Sequence, residues 1–247
     1  MTNVVSHAIG LLLSIVGLLL MLLRAGDTGD VLRIVSAAIF GAGLIALYTA
    51  STLYHGAKDP RIRSRLRVND HATIYLLIAG TYTPITLVTL NGWVGWTLFG
   101  ITWGMALTGV ILKLFFTGRY GLLSTLMYVF MGWIIIFAIK PLMDNMSSAG
   151  LAWLLAGGAA YTMGAILYSI EKIHFNHAIF HLFVLLGSFC HFVAVYSYVL
   201  PRDLVENEQV AYFVMADAQL NPGHGKQFPA LVDRTLREHP ASAKLSF

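Results

Sequence analysis

Long apolar stretches separated by short polar breaks fill the first 200 residues of the chain. Within each stretch the apolar residues are continuous and do not alternate with polar ones. That argues against the short alternating strands of a membrane barrel. Each stretch has roughly the 20 residues a helix needs to cross about 30 Å of hydrocarbon. The pattern predicts seven helices, over Val4–Leu23, Val31–Tyr54, Asp70–Leu90, Trp93–Phe115, Leu122–Met143, Ala149–Ile170 and His177–Leu200. Pro84 falls inside the third and predicts a bend there. The first stretch lacks a basic start and carries His7 near its beginning, so it reads as a helix and not as a cleaved leader. Short breaks favour antiparallel neighbours in one bundle. The expected fold class is therefore all-α, a seven-transmembrane helix bundle spanning residues 1–200.

After Leu200 the pattern changes. Residues 201–247 are polar and mixed in charge, with a turn-rich "NPGHGKQFP" and a short helical pattern in "ALVDRTLREH". They are expected to form a C-terminal tail outside the membrane, with no assigned chemistry.

Composition supports the membrane reading. Hydrophobic residues make up 57% of the chain and charged residues 11%, too few to cover the surface of a soluble domain of this length. The net charge of +4 does not point to nucleic acid, because the basic residues gather in one break. That break, "KDPRIRSRLR", holds Lys58, Arg61, Arg63, Arg65 and Arg67. Lys113, Arg119 and Lys172 fall on the same side, against Arg24, Arg33 and Lys140 on the other. The positive-inside rule then predicts a cytoplasmic N-terminus, and an odd number of spans puts the C-terminus outside. The single cysteine, Cys190, allows no disulfide within the chain.

The unusual polar residues converge. His55 ends the second helix one turn after Ser51, and residues four apart share a helix face. Asp70 opens the third predicted helix, and His177 and His181, again four apart, open the seventh. All three positions fall on the cytoplasmic side, so three histidines and a carboxylate from separate helices share one depth. Three imidazoles with an open fourth position form a catalytic zinc arrangement. Such an ion brings the pKa of a bound water to about 7. Asp70 is expected either to bind the metal directly or to take the proton of that water. Bland readings compete: two interfacial histidines, Asp70 as a helix N-cap, Ser51 as a packing residue. The joint placement favours the metal.

The remaining histidines rank lower. His191 lies about 15 Å beyond His181 along the helix, too far for the same ion, and is expected to bond within the bundle, a tyrosine hydroxyl being one partner. His174 reads as a loop residue and a fallback ligand, and His71 as pointing away from Asp70's face. His7 is expected on the same side as the ligands, supporting them from behind. His224 and His239 fall in the tail, solvated.

The segments "STLYH", "DHATIYLLIAGTYTP" and "NHAIFHLFVLLGSFCHF", in this order, resemble the hemolysin III family. That family is the bacterial branch of the progestin and adipoQ receptor superfamily, which includes the adiponectin receptors. The resemblance covers Asn3 to Leu200. It implies seven transmembrane helices, a cytoplasmic N-terminus and zinc near the cytoplasmic face of the bacterial inner membrane. The family's serine and first histidine match Ser51 and His55, its aspartate Asp70, and its histidine pair His177 and His181. Two departures stand out. Similar bacterial proteins carry an acidic pair before the asparagine matching Asn3, whereas this sequence starts at Met1; any role of that pair is absent, or the start is truncated. The tail after Pro201 extends beyond the usual end of such proteins.

The resemblance implies amide-bond hydrolysis on a membrane lipid, ceramidase-like and serving lipid homeostasis. Zn2+ would be the cofactor and membrane lipids the partners. Asp70 would handle the proton and Ser51 would steady the developing oxyanion. A structural zinc in a non-enzymatic membrane sensor is the alternative. A pore or a transporter fits less well, since the fourth to sixth helices carry few ionisable groups between their ends.

Overall fold

The computed structural model describes residues 2–117, 121–170 and 172–201. The predicted tail beyond Pro201, with His224 and His239, lies outside the described residues, as does Arg119. The described residues contain seven helices long and apolar enough to cross a membrane: α1 Asn3–Gly26, α2 Val31–Gly56, α3 Pro60–Leu90, α4 Gly92–Phe116, α5 Leu122–Asn145, α6 Ser148–Ser169 and α7 Asn176–Val199. No strand occurs among the described residues. The chain is a multi-pass integral membrane protein.

Six of the helices close a ring. α1 packs on α2, α2 on α3, α3 on α5, α5 on α6, α6 on α7, and α7 returns to α1. α4 packs against α3. The α2–α3 contact is close because it is lined by small residues: a Cβ on Gly80 would sit 3.3 Å from the Ile39 carbonyl oxygen. One core cluster joins Phe40, Leu44, Leu47 and Tyr48 of α2 to Val184 and Val195 of α7. A second joins Tyr82 and Ile85 of α3 to Ile134 and Leu142 of α5. Large apolar side chains such as Leu12, Leu19, Leu107, Ile111 and Phe115 lie exposed on outer faces, as lipid-facing surfaces require.

The third helix departs most from expectation. It starts at Pro60, ten residues before Asp70. Asp59 caps it, its side chain accepting from the Arg61 and Ile62 backbone N–H groups, and Pro60 fits the first turn because it has no N–H to lose. The basic stretch expected as a loop is thus mostly helical. Hydropathy marks where a helix enters lipid, whereas the cap marks where the helix begins. Asp70 lies about three turns in and is not an N-cap. At Pro84 the α-helix gives way to a π-helical stretch, Ile85–Leu90. Proline removes the N–H that would bond four residues back, and the wider turn absorbs the gap. Asn91 and Gly92, at φ 44° and 56°, then reverse the chain into α4. α7 ends in a similar π-helical stretch, Val195–Val199, capped by Arg33, whose guanidinium donates to the carbonyls of Val199, Leu200 and Pro201, each at 2.7 Å.

Candidate metal centre

Antiparallel succession brings the end of α2, the end of α6 and the start of α7 to one end of the ring. There the geometry becomes specific. The i, i+4 spacing puts His177 and His181 on one face of α7, opposite His55 in the last turn of α2. Each of the three offers one ring nitrogen, and these atoms lie within 4.8 Å of one another. Their ring centroids form a nearly equilateral triangle: 4.8 Å for His55–His177, 4.9 Å for His55–His181 and 4.7 Å for His177–His181. The Nε2 atoms of His55 and His177 are 3.1 Å apart. Two imidazole nitrogens at that distance either share a proton or share a cation. Zinc–nitrogen bonds of about 2.0–2.1 Å set tetrahedral ligands about 3.3 Å apart, close to this separation.

The surroundings suit the same role. His181 is 1% exposed. Its Nδ1 faces the Ser6 hydroxyl at 3.5 Å, which leaves Nε2 for the centre. His7 is 3% exposed and stacks on His181, with centroids 3.6 Å apart and planes 18° apart. The His7 and Tyr48 rings stand perpendicular, with centroids 5.1 Å apart. Neither His7 nitrogen has a hydrogen-bond partner among the described residues. A neutral, borderline donor set of three imidazoles suits zinc and also copper, iron or nickel.

Beside the triangle opens a cavity of about 640 Å³. Ser51, Asp70, His177 and His181 line it at this end, and Tyr82 and Thr162 line it deeper in the bundle. Asp70 is half-buried and pairs with the buried Ser51 hydroxyl. It does not belong to the group of three ligand nitrogens. Ser51, His55, His177 and His181 therefore gather at one end of the bundle, with Asp70 on the cavity wall beside them.

The other histidines divide. His174 is exposed in the loop before α7 and outside the triangle. His191 does not use a tyrosine hydroxyl: its Nδ1–H donates to the Gly187 carbonyl at 2.8 Å, one turn back on its own helix. Its ring stacks on Tyr161 at 5.2 Å, while the Tyr161 hydroxyl bonds Ser188. His71, expected to point away, lines the cavity. His7, expected behind the ligands, stacks on one of them, His181; sequence reasoning missed the part played by Lys113 and Tyr128, which also line the cavity. Lys113 sits near a helix end, where a lysine reads as a topology marker; its 4% exposure is visible only in three dimensions.

A bundle of seven membrane-spanning helices with a triangle of histidines beside an internal cavity defines a class of polytopic membrane proteins. Its particular member follows from comparison with known proteins. The sequence model of the family described as Haemolysin-III related matches residues 1–192, and the chain belongs to that family. It is 47% identical to Hemolysin-3 of Bacillus cereus over 199 residues, 81% of this chain and 91% of that one. Over 196 residues it is 45% identical to the Hemolysin-3 homolog of Bacillus subtilis (strain 168), 79% of this chain and 92% of the relative. A more distant relative is the Monocyte to macrophage differentiation factor of Homo sapiens, a member of the progestin and adipoQ receptor superfamily. It is 30% identical over 216 residues, 83% of this chain and 87% of its own.

Proposed function

We propose that the protein is a zinc-dependent hydrolase of amide-linked lipids, acting in membrane-lipid homeostasis. The observation that carries this reading is the triangle of ligand nitrogens, within 4.8 Å of one another, two of whose histidines, His177 and His181, line a cavity of about 640 Å³. Three histidines with a cavity alongside leave room for substrate, which is the arrangement of a catalytic site; a structural site is closed by four ligands. That Asp70 lies outside the group of three supports this over a structural zinc in a sensor.

A zinc ion held by His55, His177 and His181 supplies Lewis acidity and a water acidified to a pKa of about 7. The chain does the rest. The cavity takes the lipid's apolar part and keeps bulk water from it. Asp70 accepts the proton released as the acyl carbon–oxygen bond forms. It returns that proton to the amide nitrogen as the carbon–nitrogen bond breaks. Ser51 holds the Asp70 carboxylate in place through its hydroxyl and, turned toward substrate, donates to the acyl oxygen.

The test is incubation of detergent-purified protein with a panel of ceramides and N-acyl lipids, with and without a chelator. Release of fatty acid that the chelator abolishes and zinc restores is the expected result. Release that the chelator leaves unchanged, or no release across the panel from zinc-loaded protein, overturns the proposal.

A further inference from the structure

We infer that Lys113 forms an anion subsite at the mouth of the cavity, taking the phosphate or carboxylate group of an amphiphile whose apolar chain lies deeper in the bundle. Lys113 comes from α4, which packs on the outside of α3, yet it lines the cavity together with Asp70, His71 and Tyr128. It is 4% exposed. Its ammonium donates to the Ser124 hydroxyl at 2.6 Å and stands 6.0 Å from the centre of the Tyr128 ring. Among the described residues no carboxylate lies within 4.0 Å of it; the ion pairs there are Arg33–Asp30 and Lys140–Asp144. A buried cation that meets a hydroxyl and an aromatic face, but no carboxylate at ion-pair distance among the described residues, is expensive to keep.

The neighbours add to the same sign. Half-buried Arg67, one turn before His71 on α3, is close enough to repel both Lys113 and His71. The Tyr128 hydroxyl donates to the His71 backbone carbonyl at 2.9 Å, fixing α5 against α3 at this point. Against the single carboxylate of Asp70 on the same wall, Lys113 and Arg67 leave a net positive corner at the end of the bundle that holds the histidines. A lysine kept only to lock α4 to α5 would need no cavity in front of it. The ammonium is a point donor suited to phosphate or carboxylate. The cavity, lined also by Leu77, Ile78, Val129 and Phe180, suits one chain of an amphiphile. This inference rests on the cavity admitting lipid, and not on hydrolysis.

The experiment is native mass spectrometry of the full chain in detergent, titrated with oleoyl lysophosphatidate, oleoyl lysophosphatidylcholine and inorganic phosphate. Wild type is expected to prefer the anionic amphiphile to the zwitterionic one by about tenfold. Lys113→Met erases that preference while lysophosphatidylcholine binding persists; Lys113→Arg keeps it. Competition by inorganic phosphate supports the site as one for the free anion, and its failure to compete supports a lipid headgroup. Equal binding of the two amphiphiles by wild type, or an undiminished preference in Lys113→Met, overturns the subsite. Binding of neither amphiphile overturns it along with the lipid reading of the cavity. If Lys113→Met fails to fold, Lys113→Gln is read in its place, and an undiminished preference in that variant overturns the subsite.

Discussion

The Nε2 of His177, in the first turn of α7, lies 3.1 Å from the Nε2 of His55, in the last turn of α2, across 122 residues of sequence. Neither helix could aim an imidazole there alone. The ring of helices brings two chain ends together, and His181, one turn further along α7, closes the triangle.

Asp70 carries the proton in the proposed chemistry. Asp70→Asn keeps the shape and the Ser51 contact but cannot accept a proton. Hydrolytic turnover should fall by about 10²–10⁴-fold while bound metal is unchanged. Steady-state rates and metal content measured on one preparation check this. Wild-type turnover in the variant would remove Asp70 from the reaction.

His7 braces His181 through a stacked ring 3.6 Å away. His7→Ala should weaken metal affinity by about 10–100-fold, the usual cost of losing support behind a ligand. His7→Phe, which preserves the flat ring, should lose much less. Competition with a metal-chelating dye reads both. An alanine variant with wild-type affinity would show that the stack is incidental.

Gly95 of α4 faces the Thr86 carbonyl in the π-helical stretch of α3, and a Cβ there would run into that oxygen. Gly95→Ala should therefore destabilise the protein by about 1–3 kcal/mol, as overpacking does. A melt in detergent should show a lower midpoint. An unchanged midpoint would mean that α4 shifts freely on α3.

The basic start of α3 is proposed to face the cytoplasm, with the loop between α5 and α6 facing outside. Cys190 is buried, so introduced cysteines report without background. In spheroplasts Asp144→Cys should react with an impermeant maleimide and Lys58→Cys should not. The reverse pattern would invert the topology.

Much of this architecture was legible in the sequence, for physical reasons. A lipid-facing helix must be apolar along its whole length, so the seven spans are visible in hydropathy alone. Because spans alternate sides, Ser51, His55, His177 and His181 could be placed at one depth without coordinates. Other features were hidden. The start of α3 at Pro60 was masked by arginines, although the Asp59–Pro60 cap was present in the sequence. The π-helical stretches after Pro84 and Ala194 leave no pattern of their own beyond the proline. His71 and Lys113 were misjudged because sequence gives a side chain's depth in the membrane, whereas its neighbours depend on helix rotation and on which helices touch. Lys113 reaches the cavity from a helix outside the ring, an arrangement no periodicity encodes.

Metal analysis of the full chain, purified in detergent without added zinc, tests the central claim most directly when wild type and His181→Ala are compared side by side. The account predicts about one zinc per wild-type chain and almost none in the variant, as expected when one of three ligands is lost. A wild type without metal after zinc loading, or a variant that keeps a full equivalent, would contradict it.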